Sequence, residues 1–148
     1  MITKVVQNKQ YQKQQIEQIR DQLMLLVDIV DGFSLTANID AITFEPELPQ
    51  EITDSFSKFT LFSFANYTFE SIILTDTYIS FEAGFGEENI DSVVKIPYIA
   101  IFQIIVDESI LFINPSATMV IKKIDDLDQE ERSRNAFTMH GRNKNLLD

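Results

Sequence analysis

The chain has 148 residues, a mass of 17.0 kDa and 23 acidic against 12 basic residues, a formal charge of -11. That length suits one domain with a tail, and that charge repels phosphate backbones and anionic lipid headgroups, so nucleic acid and membrane are not expected partners. With no cysteine and a single histidine, His140, there is no disulfide framework, no thiolate chemistry and no multi-histidine metal site. No apolar run approaches the length of a membrane span, and the first ten residues lack the apolar stretch of a signal peptide. A cytoplasmic protein is expected.

The first ten residues read as polar and loosely held. Residues 11–31 predict a helix, because Ile16, Ile19, Leu23, Leu26 and Val30 recur at spacings of three and four. Gly32 is expected to end it at C′, where a left-handed backbone costs glycine little. The period then changes from helix to strand. Leu35, Ala37 and Ile39 alternate with polar residues, and the phase slips before Ile42 and Phe44, so a strand over 34–44 with a bulge or bend near Asp40 is expected. In 59–65 apolar groups fall on both faces, which predicts a central strand or one with a face in a groove. A turn at Asn66, a strand over 71–75, a reversal at Thr75, Asp76 and Thr77, and a strand over 78–85 follow. The last has the clearest alternation, with Ile79, Phe81, Ala83 and Phe85 on one face.

Further strands are expected at 92–96 and 110–114, with a short edge strand at 119–121. Periodicity does not decide between strand and helix for the apolar run after Pro97. Pro97 suits the first position of a helix, so a short buried helix over 98–107 is the expectation. The fold class is therefore mainly β, a small barrel or sandwich with an N-terminal amphipathic helix and one short internal helix. Residues 1–124 would form the domain and 125–148 a flexible tail, acidic at first and then basic.

No motif for chemistry stands out. There is no glycine-rich nucleotide loop, and Asp125, Asp126 and Asp128 lack the glycine and the final glutamate of a calcium loop. No cofactor and no metal are expected, no residue is assigned a catalytic role, and the protein is read as a non-enzyme. Strands apolar on both faces are compatible with a groove that takes an extended peptide.

The segments FTLFSFAN (59–66), DTYISFEAGFGE (76–87) and VVKIPYIAIFQIIVDE (93–108), preceded by the amphipathic helix, resemble the stringent starvation protein B family. That resemblance implies an adaptor of the ClpXP protease. Such a protein captures polypeptides carrying the ssrA tag or a similar one, and pairs as a homodimer through its N-terminal helix. It reaches the ClpX unfoldase with a C-terminal peptide. Carried over to this sequence, the peptide-binding positions are Phe62, Ser63, Phe64, Ala65, Glu82, Ala83, Gly84 and Phe85, and the dimer contacts Ile16, Ile19, Leu23 and Leu26. The sequence departs from the family where Gly84 replaces a basic residue, Glu87 a glycine and Phe64 a small residue, and where the terminal NLLD is not the aliphatic-basic end of the family. The other expectation is a structural or assembly protein that binds a protein partner through the same β core.

Overall fold

The computed structural model describes residues 1–124. Two antiparallel sheets of four strands enclose the core, with one long helix against them. The helices are α1 (Ile2–Val6), α2 (Lys9–Ile29), α3 (Gln50–Thr53) and α4 (Asn66–Glu70). The strands are β1 (Phe33–Asn38), β2 (Thr43–Glu45), β3 (Phe59–Phe64), β4 (Ile73–Leu74), β5 (Tyr78–Phe85), β6 (Ile90–Pro97), β7 (Ile101–Val106) and β8 (Ser109–Ile113). The first sheet runs β3-β1-β7-β8 and the second β2-β6-β5-β4, so the expected sheets and long N-terminal helix are present, in a mixed α/β fold with two separate antiparallel sheets and, among the described residues, no closed barrel. No helix among the described residues is long and apolar enough to cross a membrane.

The helix α2 begins where Asn8 accepts the Tyr11 N–H on its side chain at 2.9 Å. Its inward stripe is Ile19, Leu23 and Leu26, with Gln12 and Gln15 below them. Val30 turns extended and ends it. Gly32 does not take the left-handed conformation expected of it. Its role is clearance, because a Cβ there would sit 2.9 Å from the Phe64 carbonyl oxygen. The first residues are also more ordered than their polarity suggested. α1 buries Val6, whose carbonyl accepts from Gln12 Nε2 at 3.0 Å and from Ser116 Oγ at 2.7 Å.

The phase slip before Ile42 marks a change of sheet. A 3-10 turn over Ile39–Ala41 carries the chain from β1 to β2, and Asn38 caps it by accepting the Asp40 N–H. A second such turn, Tyr98–Ala100, carries it from β6 back to β7. Here the expected helix over 98–107 is corrected. Pro97 closes β6, one turn follows, and 101–106 is a strand paired with both β1 and β8. Its buried residues, Ile101 and Ile104, and its half-buried Phe102, Ile105 and Val106 are all apolar, so the segment shows no period. The expected edge strand at 119–121 is absent, and Asn66 opens the one-turn helix α4 at φ 51° rather than a plain turn. The reversal at 75–77 is present, closed by Thr75 Oγ1, which accepts the Thr77 and Tyr78 N–H groups at 3.2 and 3.0 Å.

A buried polar hub ties the helices to the first sheet. Asn114, fully buried, donates to the carbonyls of Ile99 and Ile101, each at 2.9 Å, and accepts from Gln15 Nε2 and the Ser116 N–H. Asn114→Ala would leave these groups unpaired in a dry interior. The expected cost is about 2–5 kcal/mol, since each orphaned group costs about 1–3 kcal/mol. Urea denaturation at equilibrium measures it, and a loss under about 0.5 kcal/mol would contradict the role given to this residue.

Candidate functional site

The two segments expected to line a groove do lie opposite each other, at one flank of the paired sheets. The space between them is filled. Phe62 and Phe64 are buried and meet the Phe81 ring edge-to-face at centroid distances of 5.6 and 4.7 Å. Phe62 and Phe64 are therefore core residues rather than groove walls, which corrects their assignment to peptide side-chain pockets. Ser63, Ala65, Glu82 and Gly84 are exposed, and Ala83 and Phe85 are half-buried against the core. Phe85 packs among Phe44 and Phe56 at 5.6 and 5.9 Å. The dipeptide-period reading of β5 was correct, because its inward set is Ile79, Phe81, Ala83 and Phe85.

At this flank the accessible chemistry is backbone. β3 is an edge strand, not the central strand its two apolar faces suggested, and Leu61 points outward at 57% exposure. The Ile39 N–H donates to the Lys58 carbonyl at 2.9 Å, in register with the β1–β3 ladder. Hydrogen bonding alternates along an antiparallel ladder, so Thr60, Phe62 and Phe64 face β1. Phe59, Leu61 and Ser63 then direct their N–H and C=O groups away from the sheet, with no partner among the described residues.

The other edges carry devices that discourage pairing. β8 contains a register slip at Leu111, β2 is three residues long and ends in Glu45 before Pro46, and β4 has two residues. β3 has six residues in unbroken register, without charge, proline or bulge.

Across the flank, β4 covers only Ile79 and Ser80 of β5. The Glu82 N–H is taken by Ser71 Oγ at 2.9 Å, so this side of β5 faces α4 and then solvent. By the same alternation the N–H and C=O of Gly84 point that way. Tyr67 of α4 donates its hydroxyl to Glu82 Oε1 at 2.8 Å. That bond and the negative charge of Glu82, then of Asp91, raise the tyrosine pKa above its ordinary value. Deep in the core, burial raises Tyr98 well above the tyrosine range, and its hydroxyl donates to the Thr75 carbonyl at 2.6 Å. Gly84 offers no charge, and a Cβ on it would collide with the Asn89 side chain, so a basic residue at 84 needs Asn89 to swing aside.

The four helix residues assigned to a dimer contact do not form an outward face. Ile19 and Leu23 are fully buried, Leu26 nearly so, and Ile16 packs partly against the same core. The stripe was read correctly, but it is spent on the chain's own interior. What α2 exposes is Met24, Leu25 and Ile29. Among the described residues no group of histidine, cysteine or carboxylate side chains is arranged to hold a metal. The expected ClpX-docking peptide lies within 125–148, outside the described residues. Neither a family model nor a curated protein matches the chain.

The free edge of β3 is the feature that sequence reasoning missed. A regular uncharged run, FTLFSF, was visible, but strand order was not.

Ile19→Asp is expected to unfold the protein rather than split a dimer, because an unpaired buried charge costs several kcal/mol. A thermal melt with light scattering separates the outcomes, and a folded, smaller species would contradict the inward placement. Tyr67 should ionise at higher pH than free tyrosine, and Glu82→Ala should bring it back toward the ordinary value, as read by NMR of the tyrosine ring carbons. An unchanged titration would remove the Tyr67–Glu82 bond.

Proposed function

We propose that the protein is a non-enzymatic peptide-binding adaptor that takes an extended segment of a client polypeptide as an added strand on β3. The observation that carries this reading is the outward row of backbone groups at Phe59, Leu61 and Ser63 on a strand with no edge protection. An added strand gains main-chain hydrogen bonds from such a row, and side chains beside it select the sequence. Leu61 and Ser63 on one side, and Glu82 across the flank, supply those side chains.

The similarity of 59–66, 76–87 and 93–108 to the stringent starvation protein B family supports the more specific form. In that form the clients carry an ssrA-type or similar tag and are delivered to ClpXP in the cytoplasm. Delivery needs no covalent step, since tethering raises the local concentration of client at the unfoldase. Pairing of two copies, as in that family, would use the outward residues of α2, Leu25 and Ile29, in place of its buried stripe.

The reading as an assembly protein rests on a different surface. The outer face of the first sheet carries Leu61, Ile110 and Ile113 at 50–57% exposure, beside the Phe59 and Phe102 rings, tilted against each other at 4.9 Å. A face of this kind suits a protein partner in place of a peptide.

The test is Ser63→Pro. The Ser63 N–H points away from β1, so proline there removes an edge donor without breaking the ladder. Titration of fluorescent ssrA peptide should show saturable binding to the native protein and at least tenfold weaker binding to the variant, about 1.4 kcal/mol. Equal affinities would move the site off β3, and no binding by the native protein would end the tag reading.

A further inference from the structure

A cleft of about 920 Å³ runs along α2, between that helix and the segment formed by α4, β4 and the 75–76 turn. Its floor is apolar, made by Met24 and Val27 from α2 and by Phe69, Ile72 and Leu74 opposite. Its rim is acidic, with Asp21 and Asp28 on the helix and Glu70 and Asp76 across from them. The one cation among the lining residues, Arg20, is shared between Asp21 and Asp76 at 4.0 Å each. Such a cleft fits a segment with apolar side chains between positive ones.

The chain itself contains such a segment. Residues 132–144, RSRNAFTMHGRNK, carry Arg132, Arg134, Arg142 and Lys144, with no acidic residue among them and with Phe137 and Met139 in the middle. These residues lie outside the described part of the structure. The stretch before them, DDLDQEE, is acidic and is repelled by the same rim.

Reach is not a constraint. Gln12 of α2 bonds Met119, and the cleft occupies the helix roughly 12–24 Å further along at 1.5 Å per residue. The residues between Ile124 and His140 span up to about 50 Å when extended.

We propose that residues 132–144 dock in cis on the cleft beside α2, with Phe137 and Met139 over the apolar floor and the arginines against the carboxylate rim. The contact is electrostatically steered and weakens with salt. α4 forms one wall of the cleft through Phe69 and Glu70 and also holds Tyr67 against Glu82, so a seated tail adjoins the peptide flank without covering β3. The inference does not rest on the adaptor reading, and its readout involves no peptide.

The absence of native cysteine makes the experiment direct. A nitroxide label on His140→Cys in the full chain should broaden the amide signals of Met24, Val27, Phe69 and Ile72. At low salt their intensity should fall at least about twofold below that of Ile105 and Ile113, and it should recover near 0.5 M salt, where screening is short-ranged. Asn135→Cys, labelled in the same way, should give the same map. Asp28→Lys combined with Glu70→Lys should abolish the broadening while leaving the rest of the spectrum in place. Uniform intensities, or broadening centred on β3 or on the outer sheet face, would overturn the proposal. Broadening in a mixture of nitroxide-labelled and isotope-labelled molecules would overturn the cis contact in favour of a second copy. Binding of an added cationic amphipathic peptide with no effect from the tail label would assign the cleft to a different partner.

Discussion

The Phe81 ring sets the relation between the two sheets. It stands edge-on to both Phe62 and Phe64, so the edge strand of one sheet and the inner strand of the other are held by one aromatic wedge. Each such ring pair contributes about 0.5–1.5 kcal/mol beyond the area it buries. The chain of rings continues from Phe64 to Phe33 at 4.9 Å and from Phe33 to Phe69 at 6.2 Å, which positions α4 at the end of the flank. Because α4 is placed there, Ser71 meets the Glu82 N–H and Tyr67 meets the Glu82 carboxylate. Among the described residues the rings of Phe62, Phe64 and Phe81 fill the space between the strands. The peptide recognition proposed for this flank would therefore use the backbone edge and the side chains at its rim.

The opposite end of the molecule is organised by polar groups. Where the chain changes sheets, in the 39–41 and 98–100 turns, backbone groups would be stranded in the interior. Asn38 and Asn114 meet them: Asn38 accepts the Asp40 N–H at 3.1 Å and also donates to the Ala117 carbonyl at 3.0 Å, and Asn114 donates to the carbonyls of Ile99 and Ile101. No buried side-chain polar atom among the described residues lacks a partner. A protein without cysteine has joined its segments with amide side chains, whose directionality fixes the turns as a disulfide would fix two points.

The helix α2 and most strands could be read from the sequence because their periods are clean. The 98–107 segment could not, since β7 is apolar at its buried positions and at most of its half-buried ones, and such a run carries no period that separates a strand from a buried helix. The inward stripe of α2 was legible as a stripe, but nothing local says whether such a stripe meets the chain's own core or another copy. The same limit applied to 59–64. Apolar residues on both faces suggested a central strand or one with a face in a groove, and the structure buries Phe62 and Phe64 while leaving Leu61 in solvent at an edge. Strand order depends on contacts distant in sequence, and so does the openness of an edge. The resemblance placed Phe62 to Ala65 and Glu82 to Phe85 at one locale, and the two segments do face one another there, although four of the named side chains, Phe62, Phe64, Ala83 and Phe85, point inward.

An unprotected edge strand invites pairing with other copies, yet this chain carries a large excess of acid. The charge provides protection that the strand itself lacks. Two approaching copies each bring a net charge of -11, and the repulsion acts over about 8 Å at physiological salt, beyond hydrogen-bonding distance. A short neutral or basic peptide meets no such barrier. At the flank itself Glu82 and Asp91 carry negative charge beside Tyr67, and Gly84 adds no positive charge to offset it. An edge guarded in this way discriminates by charge before any side chain is read. On the proposed reading it would admit an extended segment of low or positive charge and disfavour a strongly acidic one, whatever main-chain bonds the two would share.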